Sequence, residues 1–148
     1  MRNIFLILFM AFGVLTSCDK TPQAISYGED ECDFCRMGIV DPTHAAQVVT
    51  KKGRNYKFDA TECMIDFLRT EIDEEEMLHV LSANLKEPGT LISAYDATYI
   101  VSENIPSPMG AFLSALSSKE AAETLQKESG GKLYTWEEIK KEIANKRH

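Results

Sequence analysis

Sulfur ligands at short spacing dominate the chemistry this sequence can do. Cys32-Asp33-Phe34-Cys35-Arg36-Met37 puts two thiols and a thioether within six residues, Cys63-Met64 follows, and Met109 stands in Pro106-Ser107-Pro108-Met109-Gly110. A C-x-x-C alone serves zinc sites, thiol oxidoreductases and copper proteins alike. Met37 tips the balance, because a thioether binds zinc poorly and soft monovalent copper well. Met109 lies in a loop stiffened by proline, and since loops run over the surface it reads as a ligand ahead of packing. Cys63 and Met64 have core spacing on an expected helix, which assigns them to packing first and to metal binding second. His44 either reaches into the site or flanks the turn at Asp41-Pro42; His79 belongs to an alternating strand pattern, and His148 is terminal.

Other chemistries find few residues. No Ser/His/Asp order, phosphate-cradling glycine loop or H-E-x-x-H run stands out, which leaves hydrolase and nucleotide readings without support. With 16 basic against 23 acidic residues and a net charge of −7, the chain lacks the cationic surface that grips phosphates, and nucleic acid is not an expected partner. Its 148 residues suit one compact domain rather than a large multidomain enzyme.

The N-terminal segment reads as a targeting signal. Arg2 precedes an apolar run over 4–12 that is too short to span a bilayer, and Leu15-Thr16-Ser17-Cys18 resembles a bacterial lipobox. Residues 1–17 are expected to be a lipoprotein signal peptide and Cys18 the lipidated residue, each buried acyl methylene contributing roughly 0.8 kcal/mol to membrane attachment. This implies a lipid-anchored protein of the cell envelope facing the periplasm. Residues 18–31, with Pro22 and Gly28, read as the anchored linker, and 32–148 as the domain. Cys32, Cys35 and Cys63 then form an odd set in an oxidising compartment, so at least one thiol stays unpaired within the chain. Metal binding or redox chemistry accounts for such a thiol.

These residues need elements to position them. The pattern predicts strands over 45–50 and 54–58 joined by a turn at Lys51-Lys52-Gly53. Asp59 and Glu62 have the spacing of a capping box, opening a helix to about Thr70 on which Cys63 and Phe67, and Met64 and Leu68, recur at i and i+4. An acidic solvated turn over 71–76 leads to a strand over 77–81. The second half repeats the order: strands over 96–102 and 111–116 around the proline loop, a capping box at Ser117 and Glu120, a helix over 119–127 stopped by Gly130-Gly131, and a strand over 132–135. A last helix, 136–146, has Trp136, Ile139 and Ile143 on one side. The expected class is α+β, two small halves of strand-strand-helix-strand order plus a C-terminal helix.

Taken together, the lipobox Cys18, C-x-x-C-x-M-G at 32–38, F-D-A-T-E-C-M at 58–64, D-A-x-Y-I at 96–100 and S-P-M-G at 107–110 resemble the NosL family, lipoprotein accessory factors of nitrous oxide reductase. The resemblance runs in order along nearly the whole mature chain. It implies two ββαβ halves of the kind shared with organomercurial lyase. It also implies a Cu(I) chaperone, not an enzyme, that binds one copper and delivers it toward apo nitrous oxide reductase together with an ABC-type transporter complex. The ligands it implies are Cys35, Met37 and Met109, with a histidine such as His44, Cys32 or an external ligand left to complete the sphere. Two other classes stand beside it: a thiol-disulfide oxidoreductase using Cys32 and Cys35, although that motif usually opens a helix and here precedes a strand, and a structural lipoprotein with Cys32, Cys35, Cys63 and His44 closed around zinc.

Overall fold

The computed structural model describes residues 20–146. The expected signal segment, Cys18 and His148 lie outside the described residues. The first half runs β1 (Ala46–Thr50), β2 (Asn55–Phe58), α1 (Thr61–Thr70) and β3 (Met77–Ala83), followed by a short β4 (Leu91–Ser93). The second runs β5 (Thr98–Val101), β6 (Leu113–Leu116), α2 (Lys119–Ser129) and β7 (Lys132–Tyr134), and α3 (Trp136–Lys146) closes the chain. In each half the first strand becomes central, giving antiparallel sheets of order β2-β1-β3-β4 and β6-β5-β7. This is the α+β class and the doubled ββαβ order that the sequence pattern predicts.

Side-chain alternation in the second sheet divides two cores. Tyr99 and Val101 of β5, Leu113 and Ala115 of β6 and Tyr134 of β7 face the main core with Trp136, Ile139 and Ile143 of α3. Ile100, Leu116 and Leu133 point the other way, against Ala122 and Leu125 of α2. α1 buries Cys63, Met64, Phe67 and Leu68 in the main core, the face that its i, i+4 spacing predicts. Polar contacts seam the halves: Asn84 bridges Ala115, the His44 ring meets Ser114 Oγ at 3.1 Å, and Tyr99 Oη donates to Ala94 O at 2.9 Å.

Four local expectations need correction. Residue 60, not Asp59, is the N-cap of α1, and no side chain caps it, because Asp59 is turned toward the cysteines. Ser118, not Ser117, caps α2, accepting from Ala121 N. Within the acidic turn, Glu74 is engaged rather than simply solvated: Trp136 Nε1 and Lys140 Nζ each donate to it at 2.8 Å. The stretch read as a linker is docked from Thr21 onward, for Gln23 N donates to Asn55 Oδ1 at 3.0 Å, the fully buried Gln47 donates to Gln23 O at 2.8 Å, and Lys57 Nζ reaches Ala24 O and Asp30 Oδ2. Asn55 Nδ2 also donates to Thr21 O at 3.4 Å.

Gly131 fixes the approach of α2 to β5. A Cβ there would lie 2.3 Å from Val101 O, and its φ is +96°. Gly28 shares the left-handed conformation, at +86°, but has nothing within 4 Å. Gly28→Ala is therefore expected to cost about 1–2 kcal/mol and Gly131→Ala clearly more, since the β5–β7 pairing must also shift; urea unfolding of the two variants checks the order.

Candidate metal centre

The C-x-x-C-x-M run forms the tip of a two-stranded ribbon. Gly28 N donates to Ile39 O at 2.8 Å, Ile39 N to Asp30 O at 2.9 Å, and Cys32 N to Met37 O at 2.8 Å, with a bridge between Glu31 and Gly38. Arg36 closes the tip with a positive φ of 65° and an N–H to Cys32 O at 3.0 Å. Asp33 fastens this tip to β2: its N–H donates to Lys57 O, and its Oδ2 accepts from Lys57 N, both at 2.8 Å. Phe58 and Asp59 follow directly, so the ribbon is held over the start of α1, where Cys63 lies.

Four ligand atoms converge there. Those of Cys32, Cys35, Asp59 and Cys63 all lie within 4.8 Å of one another, and all but half-buried Cys35 are buried. Cys35 Sγ donates to Asp59 Oδ1 at 3.5 Å, and Cys35 N–H faces Cys32 Sγ at the same distance. The second Asp59 oxygen is buried without a hydrogen-bond partner among the described residues, and such an orphan suits a group awaiting a cation or a proton. Sequence reasoning missed Asp59, since a residue at cap spacing before a helix looks like a cap.

The thiols are not equivalent. A hydrogen bond from the Cys63 S–H pulls the Cys32 pKa down to about 6, aided by the backbone N–H of Cys35 and opposed by burial. Donating that bond holds the Cys63 proton firmly, with burial and the Cys32 charge acting in the same sense. Burial raises Cys35 to about 11, with the charges of Cys32 and Asp59 adding to it. At neutral pH the trio is one thiolate and two thiols.

The remaining sequence candidates sit in separate settings. Met37 is 48% exposed, and its carbonyl is bound by Cys32 N, so it stands beside the cluster on the solvent side. Met109 packs half-buried on the main core from a turn closed by Gly110 N to Ser107 O. Ser107 Oγ donates to Glu62 Oε1 of α1 at 2.5 Å, tying that turn to the helix that carries Cys63. Met64 is fully buried in the core. His44 has both ring nitrogens engaged, Nδ1 with Asp41 Oδ2 at 2.8 Å and Nε2 with Ser114 Oγ at 3.1 Å. The fourth corner expected of His44 in a closed zinc set is taken by Asp59. The C-x-x-C does not open a helix, as thiol oxidoreductase chemistry would have it.

One thiol should therefore ionise well before the others. Ultraviolet thiolate absorbance of the reduced, metal-free protein is expected to rise in a step near pH 6, to lose that step in Cys32→Ser, and to show it moved upward in Cys63→Ala. A first step at the ordinary thiol value in the unsubstituted protein would contradict the hydrogen-bond assignment.

Comparisons with known proteins agree with this architecture. No curated protein matches the chain. The fold is similar to the crystal structure of the copper chaperone NosL from Shewanella denitrificans, with a TM-score of 0.70 and 26% identity over 81% of this chain and 96% of that one. The NosL family model matches residues 23–144, which takes in the ribbon, both ββαβ halves and nearly all of α3. The chain belongs to the NosL family.

Proposed function

We propose that this protein is a Cu(I) chaperone. The observation that carries the reading is the convergence of three thiols and Asp59 at the tip of the ribbon, with the exposed Met37 two residues beyond Cys35. Cu(I) is satisfied by two or three soft ligands. In this reading Cys35, Met37 and Met109 are its ligands, and Cys32, already ionised near neutrality, is the thiolate through which the metal enters. Asp59 is hard and suits a cuprous ion poorly; its part is to accept the Cys35 S–H in the metal-free protein and orient that sulfur before copper displaces the proton. A two- or three-coordinate cuprous ion keeps an open side, so release proceeds by associative ligand exchange: an incoming ligand bonds to copper before a thioether leaves. No substrate is turned over.

The same reading extends to place and partners. Lipid on Cys18 tethers the protein to the cell envelope facing the periplasm, and copper passes to apo nitrous oxide reductase with the help of an ABC-type transporter complex. Family membership and the similarity to a copper chaperone support this reading. A second reading has one observation in its favour: Cys32, Cys35, Cys63 and Asp59 also form the S₃O set of a closed zinc site. Stoichiometric zinc that resists a Cu(I) competitor would favour it.

Anaerobic Cu(I) titration against a chromogenic chelator tests the ligand set. Cys35→Ser, Met37→Leu and Met109→Leu are each expected to weaken binding by about tenfold or more, a change of about 1.4 kcal/mol each; unchanged affinity in all three sinks the assignment. The pH dependence has a definite sign. Cys35 titrates at about 11, so at neutral pH copper must displace its proton, and affinity should fall about tenfold for each pH unit lost. Below about 6 Cys32 is protonated too, and copper uptake followed over time at lower pH should slow as well as weaken.

A further inference from the structure

We propose that Glu62 is a positioning residue of the copper site, a carboxylate clamp that presents Met109 to the cysteine cluster. The proposal rests on the ligand reading above.

Glu62 lies in the first turn of α1, one residue before Cys63, and is fully buried. Its Oε1 accepts from Ser107 Oγ at 2.5 Å, across 45 residues of chain. Burial raises the Glu62 pKa above the usual carboxylate range, and the Ser107 hydroxyl and nearby backbone N–H groups oppose that rise. Ser107 and Ala111 are the two ends of the turn that contains Met109, and Gly110 N to Ser107 O at 3.0 Å closes it between them. One carboxylate thus holds the start of a short turn with Met109 inside it and joins that turn to the helix holding Cys63, while its other oxygen, Oε2, is buried without a hydrogen-bond partner among the described residues.

Packing alone does not account for a glutamate at this point. Removing a carboxylate from water costs several kcal/mol, and a leucine would fill similar volume without that cost. A directional contact does account for it, because a thioether on a proline-flanked turn contributes to a metal site only if its loop is held in register. On the seam side the His44 ring is fixed by Asp41 and Ser114.

The test is a methionine-methyl NMR titration of the protein with Cu(I) alone under anaerobic conditions, run with the chelator competition. In the unsubstituted protein the Met37 and Met109 methyl signals are both expected to move on copper addition. In Glu62→Ala the Met37 signal should still move and the Met109 signal should not, with affinity lowered by about tenfold. Adding Met109→Leu to Glu62→Ala should then cost nothing more, because the ligand is already out of place. Glu62→Gln, which keeps an acceptor for Ser107, should restore most of the Met109 response. Ser107→Ala removes one hydroxyl and no core carbon, and should reproduce a partial loss even where Glu62→Ala fails to fold. A Met109 response unchanged in Glu62→Ala, or in Ser107→Ala when Glu62→Ala does not fold, overturns the clamp. A Met109 signal indifferent to copper in the unsubstituted protein overturns the ligand reading itself, and the clamp with it.

Discussion

Two hydrogen bonds between Asp33 and Lys57, one through each residue's backbone N–H, hold the metal centre together. The ribbon of residues 28–40 has little regular structure of its own, and its tip would be mobile without an anchor. Fastened to β2 at Lys57, it brings Cys32 and Cys35 to the strand that leads two residues later into Asp59 and then into α1. The four-atom cluster follows from that one attachment. The neighbouring Lys57 ammonium, bound to Asp30 Oδ2 at 2.6 Å and half-shielded from water, fixes the stem of the same ribbon.

Stability has been given up locally for this arrangement. An aspartate at a helix start ordinarily caps it, and loss of such a cap costs about 1 kcal/mol. Here Asp59 faces a thiol instead, and α1 begins without a side-chain cap. Glu62, which would complete the capping box, is likewise drawn away to Ser107. Two residues with good local uses therefore serve distant partners. The compensation lies in packing: α1 buries eight successive residues, from Thr61 to Leu68, and the Phe67 ring packs at a tilt against both Tyr56 and Phe58 at centroid distances of 4.8 and 5.1 Å.

Much of the scaffold was legible from hydrophobic period alone. α1 and α3 carry i, i+4 patterns strong enough to name their buried faces, and Trp136, Ile139 and Ile143 do line the core, while β1 and β2 were legible as strands although β1 is buried throughout. β4 was not legible, because three residues cannot display a period. Nor was the docking of residues 21–31, which is made largely by backbone carbonyls accepting from Asn55, Gln47 and Lys57 and leaves little hydrophobic pattern. At the site, the core spacing of Cys63 assigned it to packing first and to metal binding second, while Cys32 and Cys35 could be singled out by type and spacing. Their meeting with Asp59 could not, since it depends on a ribbon returning from 24 residues earlier to pair with Lys57, and capping-box spacing is silent about such a partner. His44 flanks the Asp41-Pro42 turn, one of the two readings its position allows, and its hydrogen bonds make it a rivet between the two halves.

In the lipid-anchored form proposed above, the docking of the N-terminal segment changes how the protein would sit at a membrane. A spacer running to residue 31 would let the domain roam tens of ångströms from its lipid. Because Thr21 O is already held by Asn55 on the first sheet, the leash between a lipidated Cys18 and the folded body is three residues long, about 10 Å at full extension. A domain on so short a leash cannot tumble freely. The face carrying residues 21–24 would stay close to the bilayer, and the ribbon tip would sample a narrow range of heights and orientations, so a recipient would meet the copper site at a nearly constant distance from the membrane surface.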